Sequence, residues 1–365
     1  MHSTTFDPTG ATAEPANRWL SRDSSHRVQI GGGTSFVSNP GETLLDAALR
    51  QGIVFEHSCT NGRCGSCKGR LSAGSTATQS DEPGLSPRDR DGGWVLTCVR
   101  TARSDLTLDI EVRASPALIA PRTWPCRIQA LSLLAPDVLQ VSLRLPPGSR
   151  FKHHAGQHVD LVGPEGLRRA YSLAHADCGV DVPVSTGQGV VERPLILQVR
   201  RVPAGAMSRY WFEQARVDDL LRLKGPLGSF ALDEVVGLDL VFLATGTGFA
   251  PVSAMLASLA TQPARARSLA LYWGGRVPSD LYRNPSAILP GLHYVPVLSR
   301  ADASWTGVRG HVQQALLTTP RDWSKTVVFA CGSPQMVDSA REQLSVQGLQ
   351  PRHFRAEAFV ASSAA

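Results

Sequence analysis

Four cysteines carry the most specific chemical signal in this chain. They stand as Cys59-Thr-Asn-Gly-Arg-Cys64-Gly-Ser-Cys67, with Cys98 further along. The C-x4-C-x2-C…C spacing is one that holds a 2Fe–2S cluster, a one-electron carrier. Two irons need four thiolates converging from two directions. A tight loop can present three of them, and a separate strand end supplies the fourth. Gly62 and Gly65 let the loop take positive φ and wrap close to the sulfides, with backbone N–H groups turned toward the sulfurs. A structural zinc site would instead show two short Cys/His pairs. A disulfide framework is disfavoured by the odd total of seven cysteines and by the lack of a secretory signal. Cys126 and Cys178 have no motif around them and read as small buried hydrophobes.

A second group of residues could handle a dinucleotide. Gly246-Thr247-Gly248 follows the apolar run Leu240-Val-Phe-Leu-Ala244 and opens a helix-like stretch. Glycines there let backbone N–H groups approach a pyrophosphate at a helix N-terminus. The Rossmann fingerprint is incomplete, because Pro251 takes the place of its third glycine. The next strand ends in Trp273-Gly-Gly275-Arg276, without the acidic residue a Rossmann dehydrogenase would place there. The shorter motifs are Arg169-Ala170-Tyr171-Ser172, Gly205-Ala206-Met207-Ser208, Gly225-Pro-Leu-Gly228, Ser299-Arg300, Cys331-Gly332-Ser-Pro334 and Glu357-Ala-Phe359. Taken singly, Tyr171 reads as a core aromatic and Cys331 as a buried thiol.

The elements that must position these residues form successive segments. Residues 26–113 open with two short strands around Gly31-Gly-Gly33. A helix follows, in which Leu44, Leu45, Ala48 and Leu49 recur at helical spacing and Gly52 is the C′ residue. Residues 114–122, with two prolines, read as a semi-rigid linker. Residues 123–234 are β-rich: Val138–Leu145 and Leu195–Val202 alternate, with Pro and Gly between the runs, which suggests a small barrel. Residues 235–365 alternate apolar strands with helical stretches, the pattern of a parallel α/β unit.

The bulk properties bound the answer. A chain of 365 residues suggests about two to three domains. The net charge of +6 is mild, and no Lys/Arg-dense run or zinc-finger pattern points to nucleic acid. No stretch approaches the roughly 20 apolar residues of a membrane span. Residues 1–25 are polar and lack an apolar h-region, so they read as a disordered tail and not as a targeting peptide. Free thiols and an iron–sulfur motif fit the cytoplasm. Between Arg27 and Arg113 basic and acidic residues are about equal in number, so no strongly acidic docking face is expected.

Strand, hairpin, helix and cluster loop in this order resemble the β-grasp fold of plant-type ferredoxins. From Thr123 to Phe359 the ordered motifs resemble the ferredoxin–NADP⁺ reductase superfamily. The resemblance implies a multidomain α+β and α/β protein: a β-grasp ferredoxin domain, a small antiparallel β-barrel FAD domain and a parallel α/β nucleotide-binding domain. It implies that Tyr171 packs on the isoalloxazine, that Ser172 hydrogen-bonds near flavin N5, and that Arg169 neutralises the FAD pyrophosphate. Ala170 lies within that motif, and Gly205, Ala206, Met207 and Ser208 assist Arg169. Phe359 would cover the other flavin face. Gly246, Thr247, Gly248 and Pro251 would take the nucleotide phosphates. Gly275, Arg276, Ser299 and Arg300 would lie toward the ribose, and Cys331 and Gly332 toward the nicotinamide. Cys331, Ser172 and Glu357 would serve hydride transfer, Cys331 without acting as a nucleophile.

The expected path runs from NADH, with NADPH as the alternative donor, to FAD, then to the cluster, then to a partner. NAD(P)H yields two electrons and the cluster takes one, so a flavin must hold the difference. Ferredoxin first and flavin reductase second resembles the reductase components of bacterial multicomponent oxygenases, which implies an iron-containing oxygenase as partner. The NADH-dependent reductase of CDP-6-deoxyhexose synthesis shares the layout and remains open. A redox-sensing module is a third reading, against which no DNA-binding helix-turn-helix is visible. Neither nucleic acid nor a membrane is expected as a partner.

Overall fold

The computed structural model describes residues 24–113, 119–175, 184–186, 189–191, 194–232, 235–261 and 266–360. Most of the expected N-terminal tail, the centre of the linker and Cys178 lie outside them.

The first unit is a five-stranded mixed sheet in the order Ser35–Ser38, His26–Ile30, Leu106–Asp109, Lys68–Ala73, Trp94–Leu96. Alternation in the first strand buries Val28 and Ile30 against helix Leu44–Arg50, whose Leu44, Leu45, Ala47 and Ala48 are buried. Thr43 caps that helix by accepting the Asp46 N–H at 3.1 Å, a bond of the kind that contributes ~1 kcal/mol. Gly52, at φ +77°, takes the left-handed conformation that ends it. This is the β-grasp arrangement expected of the cysteine-bearing segment.

The second unit is an antiparallel six-stranded sheet in the order Arg168–Ser172, His158–Val162, Leu220–Leu227, Arg122–Ala135, Val138–Arg144, Leu195–Arg200. A bridge between Leu173 and Leu197 brings its two ends together and closes a barrel around Ile128, Val141, Leu161, Leu197 and Leu223, all fully buried.

The third unit is a six-stranded parallel sheet in the order Val308–Arg309, His293–Leu298, Ala266–Gly275, Leu238–Thr245, Thr326–Gly332, Phe354–Ala358. Its central strand is apolar from Leu240 to Ala244 because both faces are covered there. Leu240, Phe242 and Ala244 share one core with helix Phe249–Ala260. Val241 and Leu243 face the other core, with helices Val312–Leu317 and Pro334–Val346. No helix among the described residues is long and apolar enough to cross a membrane.

Candidate functional site

The cluster loop carries the geometry the cysteine spacing predicts. Gly62 and Gly65 stand at φ +77° and +72°. A Cβ on Gly62 would lie 2.6 Å from the Asp81 carbonyl oxygen, so the loop is pressed against a second loop in which Gly84 donates to the Gly62 carbonyl at 2.8 Å. Gly84 is equally confined, with three backbone atoms 2.9 Å from where its Cβ would be. The thiols interact in two pairs, Cys59 with Cys64 and Cys67 with Cys98, and the Cys64 N–H donates to Cys59 Sγ at 3.3 Å. Cys59 is pulled down to about 6 by the Cys64 side chain, against burial and with help from the N–H groups of Asn61, Cys64 and Arg63. Cys67 is lowered in the same way by Cys98, while Cys64 and Cys98 are pushed up by the neighbours they donate to and by burial. No three His, Cys, Asp or Glu side chains among the described residues close on a point as a single-ion site would require. Two thiol pairs with backbone N–H groups aimed at sulfur instead fit a two-iron cluster, which takes two thiolates per iron. Behind the loop, buried Glu82 accepts the Leu96 N–H and pairs with Arg100, bracing the chain that delivers Cys98.

The three residues expected to serve hydride transfer converge. Glu357 is 2% exposed. Its Oε2 accepts from Ser172 Oγ at 2.9 Å and lies 4.0 Å from Cys331 Sγ. Its Oε1 accepts from Ser58 Oγ at 3.1 Å and lies 3.1 Å from His158 Nδ1. The imidazole is out of line for a hydrogen bond, so that contact is electrostatic. Burial acts to lower the His158 pKa, but Glu357, with Asp160 and Cys64, outweighs it and holds the value above the usual histidine range. Burial, with Glu357 adding to it, pushes the Cys331 thiol far up, which keeps it neutral and unsuited to nucleophilic attack.

Tyr171 sits beside Ser172 on the same strand, and its hydroxyl accepts from Trp211 Nε1 at 2.8 Å. Phe359 is two residues beyond Glu357 on the same face. Both rings are only partly covered. Each ring therefore keeps free surface, Tyr171 next to Ser172 in the barrel and Phe359 two residues past Glu357, and exposed aromatic faces of this kind suit a flat cofactor ring. Arg169 is half-buried, with its guanidinium on the Arg168 carbonyl. Gly205 leads into the short helix Ala206–Arg209, where Met207 packs into the barrel core and Ser208 Oγ accepts the Val202 N–H at 2.8 Å.

At the carboxyl ends of the parallel strands lies a cleft of 680 Å³, bordered by Gly246, Thr247, Gly275, Arg276, Ser299, Gly332 and Phe359. Gly248, Pro251, Arg300 and Cys331 stand behind or beside that lining. Gly248 abuts the Cys331 carbonyl, 2.1 Å from where a Cβ would sit. Pro251 is buried in the first turn of helix Phe249–Ala260, where its missing N–H costs nothing. Trp273 stacks on Phe249 and donates to the Gly246 carbonyl at 3.1 Å, holding the glycine turn. These close backbone approaches suit a dinucleotide laid across the strand ends.

Several residues of the site carry no motif: Ser58, His158, Gly84, Glu82 and, at the cleft, Arg200, Asp137 and Asp280. Arg200 comes from the barrel, borders the cleft, and pairs with both Asp137 and Asp280. Burial acts to raise the Asp280 pKa, but the Arg276 N–H and the Arg200 guanidinium outweigh it and hold the carboxyl below its usual value.

Comparison with known proteins agrees with this geometry. Three family models match in order: a 2Fe–2S iron-sulfur cluster binding domain over residues 28–103, an oxidoreductase FAD-binding domain over 125–232 and an oxidoreductase NAD-binding domain over 242–342. The chain is 38% identical over 334 residues to the CDP-6-deoxy-L-threo-D-glycero-4-hexulose-3-dehydrase reductase of Yersinia pestis, covering 90% of this chain and 97% of that one. It is 34% identical to terephthalate 1,2-dioxygenase reductase component 2 of a Comamonas species, covering 92% and 97%. Among solved structures it resembles the Amycolatopsis cytochrome P450 reductase GcoB, with 30% identity, a TM-score of 0.71, and coverage of 93% of this chain and 100% of that one.

Proposed function

Since the chain belongs to the ferredoxin-first iron–sulfur flavoprotein reductases of the ferredoxin–NADP⁺ reductase superfamily, we propose that it hands electrons, one at a time, to a separate iron-containing acceptor protein in the cytoplasm. The chain is an NAD(P)H-dependent oxidoreductase that uses FAD and a 2Fe–2S cluster. When bound, the flavin accepts hydride from the nicotinamide and passes electrons singly to the cluster.

The observation that carries the reading is the position of Glu357. One buried carboxylate touches the cluster loop through Ser58, the barrel through Ser172 and the nucleotide unit through Cys331. Ser172 directs its proton to Glu357, so its oxygen keeps lone pairs to accept from a flavin N–H. In this account Tyr171 and Phe359 flank the ring, while Arg169 and the Gly205–Ser208 turn hold the FAD phosphates. Gly246–Gly248, Pro251 and Gly332 accept the pyridine nucleotide. Gly275, Arg276, Ser299 and Arg300 lie at its ribose end. Neutral Cys331 orients the nicotinamide. Cys59, Cys64, Cys67 and Cys98 hold the cluster.

The acceptor is an oxygenase component, as the names of the Comamonas relative and others like it suggest. The 38% identity to the Yersinia reductase favours a second acceptor, the dehydrase of a CDP-6-deoxyhexulose. NADH oxidation coupled to each purified acceptor separates them: an oxygenase component should be turned over with its aromatic substrate. Turnover of the dehydrase alone would select the second reading, and no NADH-dependent reduction of either protein or of cytochrome c would reject delivery to a protein acceptor.

A further inference from the structure

Three residues lead into the cluster loop, Glu56, His57 and Ser58, and each is fastened to the flavin reductase. Glu56 Oε1 accepts the backbone N–H of Ala356 at 3.1 Å, and its Oε2 pairs with Arg113 at 2.9 Å. The His57 N–H donates to Ser229 Oγ at 2.8 Å, and its carbonyl accepts the Ser229 N–H at 3.0 Å. Ser58 Oγ donates to Glu357 at 3.1 Å. The segment therefore runs beside the C-terminal strand Phe354–Ala358 on one side and meets the residues following the last barrel strand on the other. The next residue is Cys59.

Interfaces between domains of one chain are mobile by default unless large and apolar. This joint differs in kind. Its contacts are hydrogen bonds, His57, Ser58 and Glu357 are buried, and Glu56 and Glu357 each accept a hydrogen bond across it. A ferredoxin domain that swung away would break all of these bonds together and expose the buried His57 and Ser58 to water, so the net contributions of the separate bonds add against opening. The His57 ring, within 2.8 Å of the Phe55 carbonyl, further stiffens the segment.

We propose that Glu56-His57-Ser58 is a docking key that fixes the cluster loop against the flavin-site carboxylate Glu357, so that electrons reach the cluster with the domains held together and not by a swing of the ferredoxin domain. The proposal rests on the assignment above of Glu357 to the flavin site and of the four cysteines to a cluster. Each transfer takes one electron from the reduced flavin and turns one ferric iron ferrous. Two transfers, with the acceptor emptying the cluster between them and one proton released, return the flavin to its oxidised form. Glu56 and Ser58 are positioning residues here, since neither touches the reacting atoms.

The test uses the full-length, cofactor-loaded protein and the variants Glu56→Gln, Ser58→Ala and Ser58→Thr. The first readout is hydrogen exchange. Amides of His57 and Ala356 should exchange at least ~10-fold faster in Glu56→Gln than in the parent, as expected when a charge-assisted hydrogen bond across the joint is weakened. The second is stopped-flow absorbance with NADH. Cluster reduction should slow by ~10-fold or more in Glu56→Gln and Ser58→Ala, with iron content retained and with Ser58→Thr near the parent. Flavin reduction in Glu56→Gln is the internal reference and should not change. If Ser58→Ala fails to assemble its cluster, Glu56→Gln decides alone, because it lies outside the loop. Parental or faster cluster reduction, or unchanged exchange, overturns the docking key. Failure of the underlying reading shows elsewhere: NADH would then leave the cluster of the parent protein oxidised.

Discussion

Replacing Gly248 with alanine puts the nucleotide site to a steric test. A Cβ there would stand 2.1 Å from the Cys331 carbonyl oxygen, 2.6 Å from its carbon and 2.9 Å from Gly332 Cα. Non-bonded carbons rest at about 3.5–4.0 Å, so even the loosest of these contacts is too close by about 0.6 Å. The opposing atoms are backbone at the end of strand Thr326–Gly332, which pairs with the central strand through Cys331 and Ala244. They cannot rotate away as a side chain would. The turn Gly246–Gly248 must therefore shift by on the order of 1 Å, and a displacement of that size in a site costs ~100-fold in rate. Steady-state kinetics with NADH and ferricyanide should show kcat/KM lower by about that factor, with the flavin and cluster absorbance of the purified variant unchanged. A kcat/KM within about threefold of the parent would refute the steric argument and the placement of the nucleotide across these strand ends.

Cys64→Ser should abolish cluster-dependent reduction of cytochrome c and leave ferricyanide reduction by NADH largely intact; loss of both would mean that the flavin unit does not act alone. NADH should give a higher kcat/KM than NADPH, because Arg276 already faces Asp280 and Asp137; steady-state assays with both nucleotides check this, and a clear win for NADPH would assign a 2′-phosphate to Arg300. Asp280→Ala removes the acceptor for the Arg276 N–H at 2.6 Å and a partner of Arg200, and should cost ~2 kcal/mol in thermal or denaturant unfolding. The Asp280 carboxyl is held below its usual value. Its contribution is therefore present above about pH 3.9, the ordinary aspartate value, and is lost as pH falls through the depressed folded value. The stability gap between parent and variant should close in that acid range.

Much of the site was legible because it is encoded locally. The cysteine spacing and the flanking glycines specify a wrapped loop, and Gly62 and Gly65 do take positive φ. The apolar run through Leu240–Ala244 reads as a strand covered on both faces, and it is one. The short polar strands Thr76–Thr78 and Arg100–Ala102 give no periodic signal, since three residues cannot establish an alternation. The sequence motifs pointed to Ser172, Cys331 and Glu357 but not to the residues around them. Ser58 and Glu357 are 299 positions apart, and a serine beside a cysteine loop looks like any loop serine. His158 opens the barrel strand His158–Val162, where nothing in the neighbouring sequence marks it as part of a site. Arg200 and Asp280 come from different units, and neither has a neighbour in sequence that marks it. Residues whose role depends on where two domains meet leave no local pattern.

The central claim is a single chain of electron flow from nicotinamide through flavin to cluster. Freeze-quenched EPR during anaerobic reduction by NADH tests it most directly. The account predicts that the paramagnetic signal of the reduced cluster appears after the flavin absorbance has bleached, and that protein stripped of FAD shows no such signal with NADH although dithionite still produces it. Reduction of the cluster by NADH in FAD-free protein, or a cluster that only dithionite can reduce in the complete protein, would contradict it.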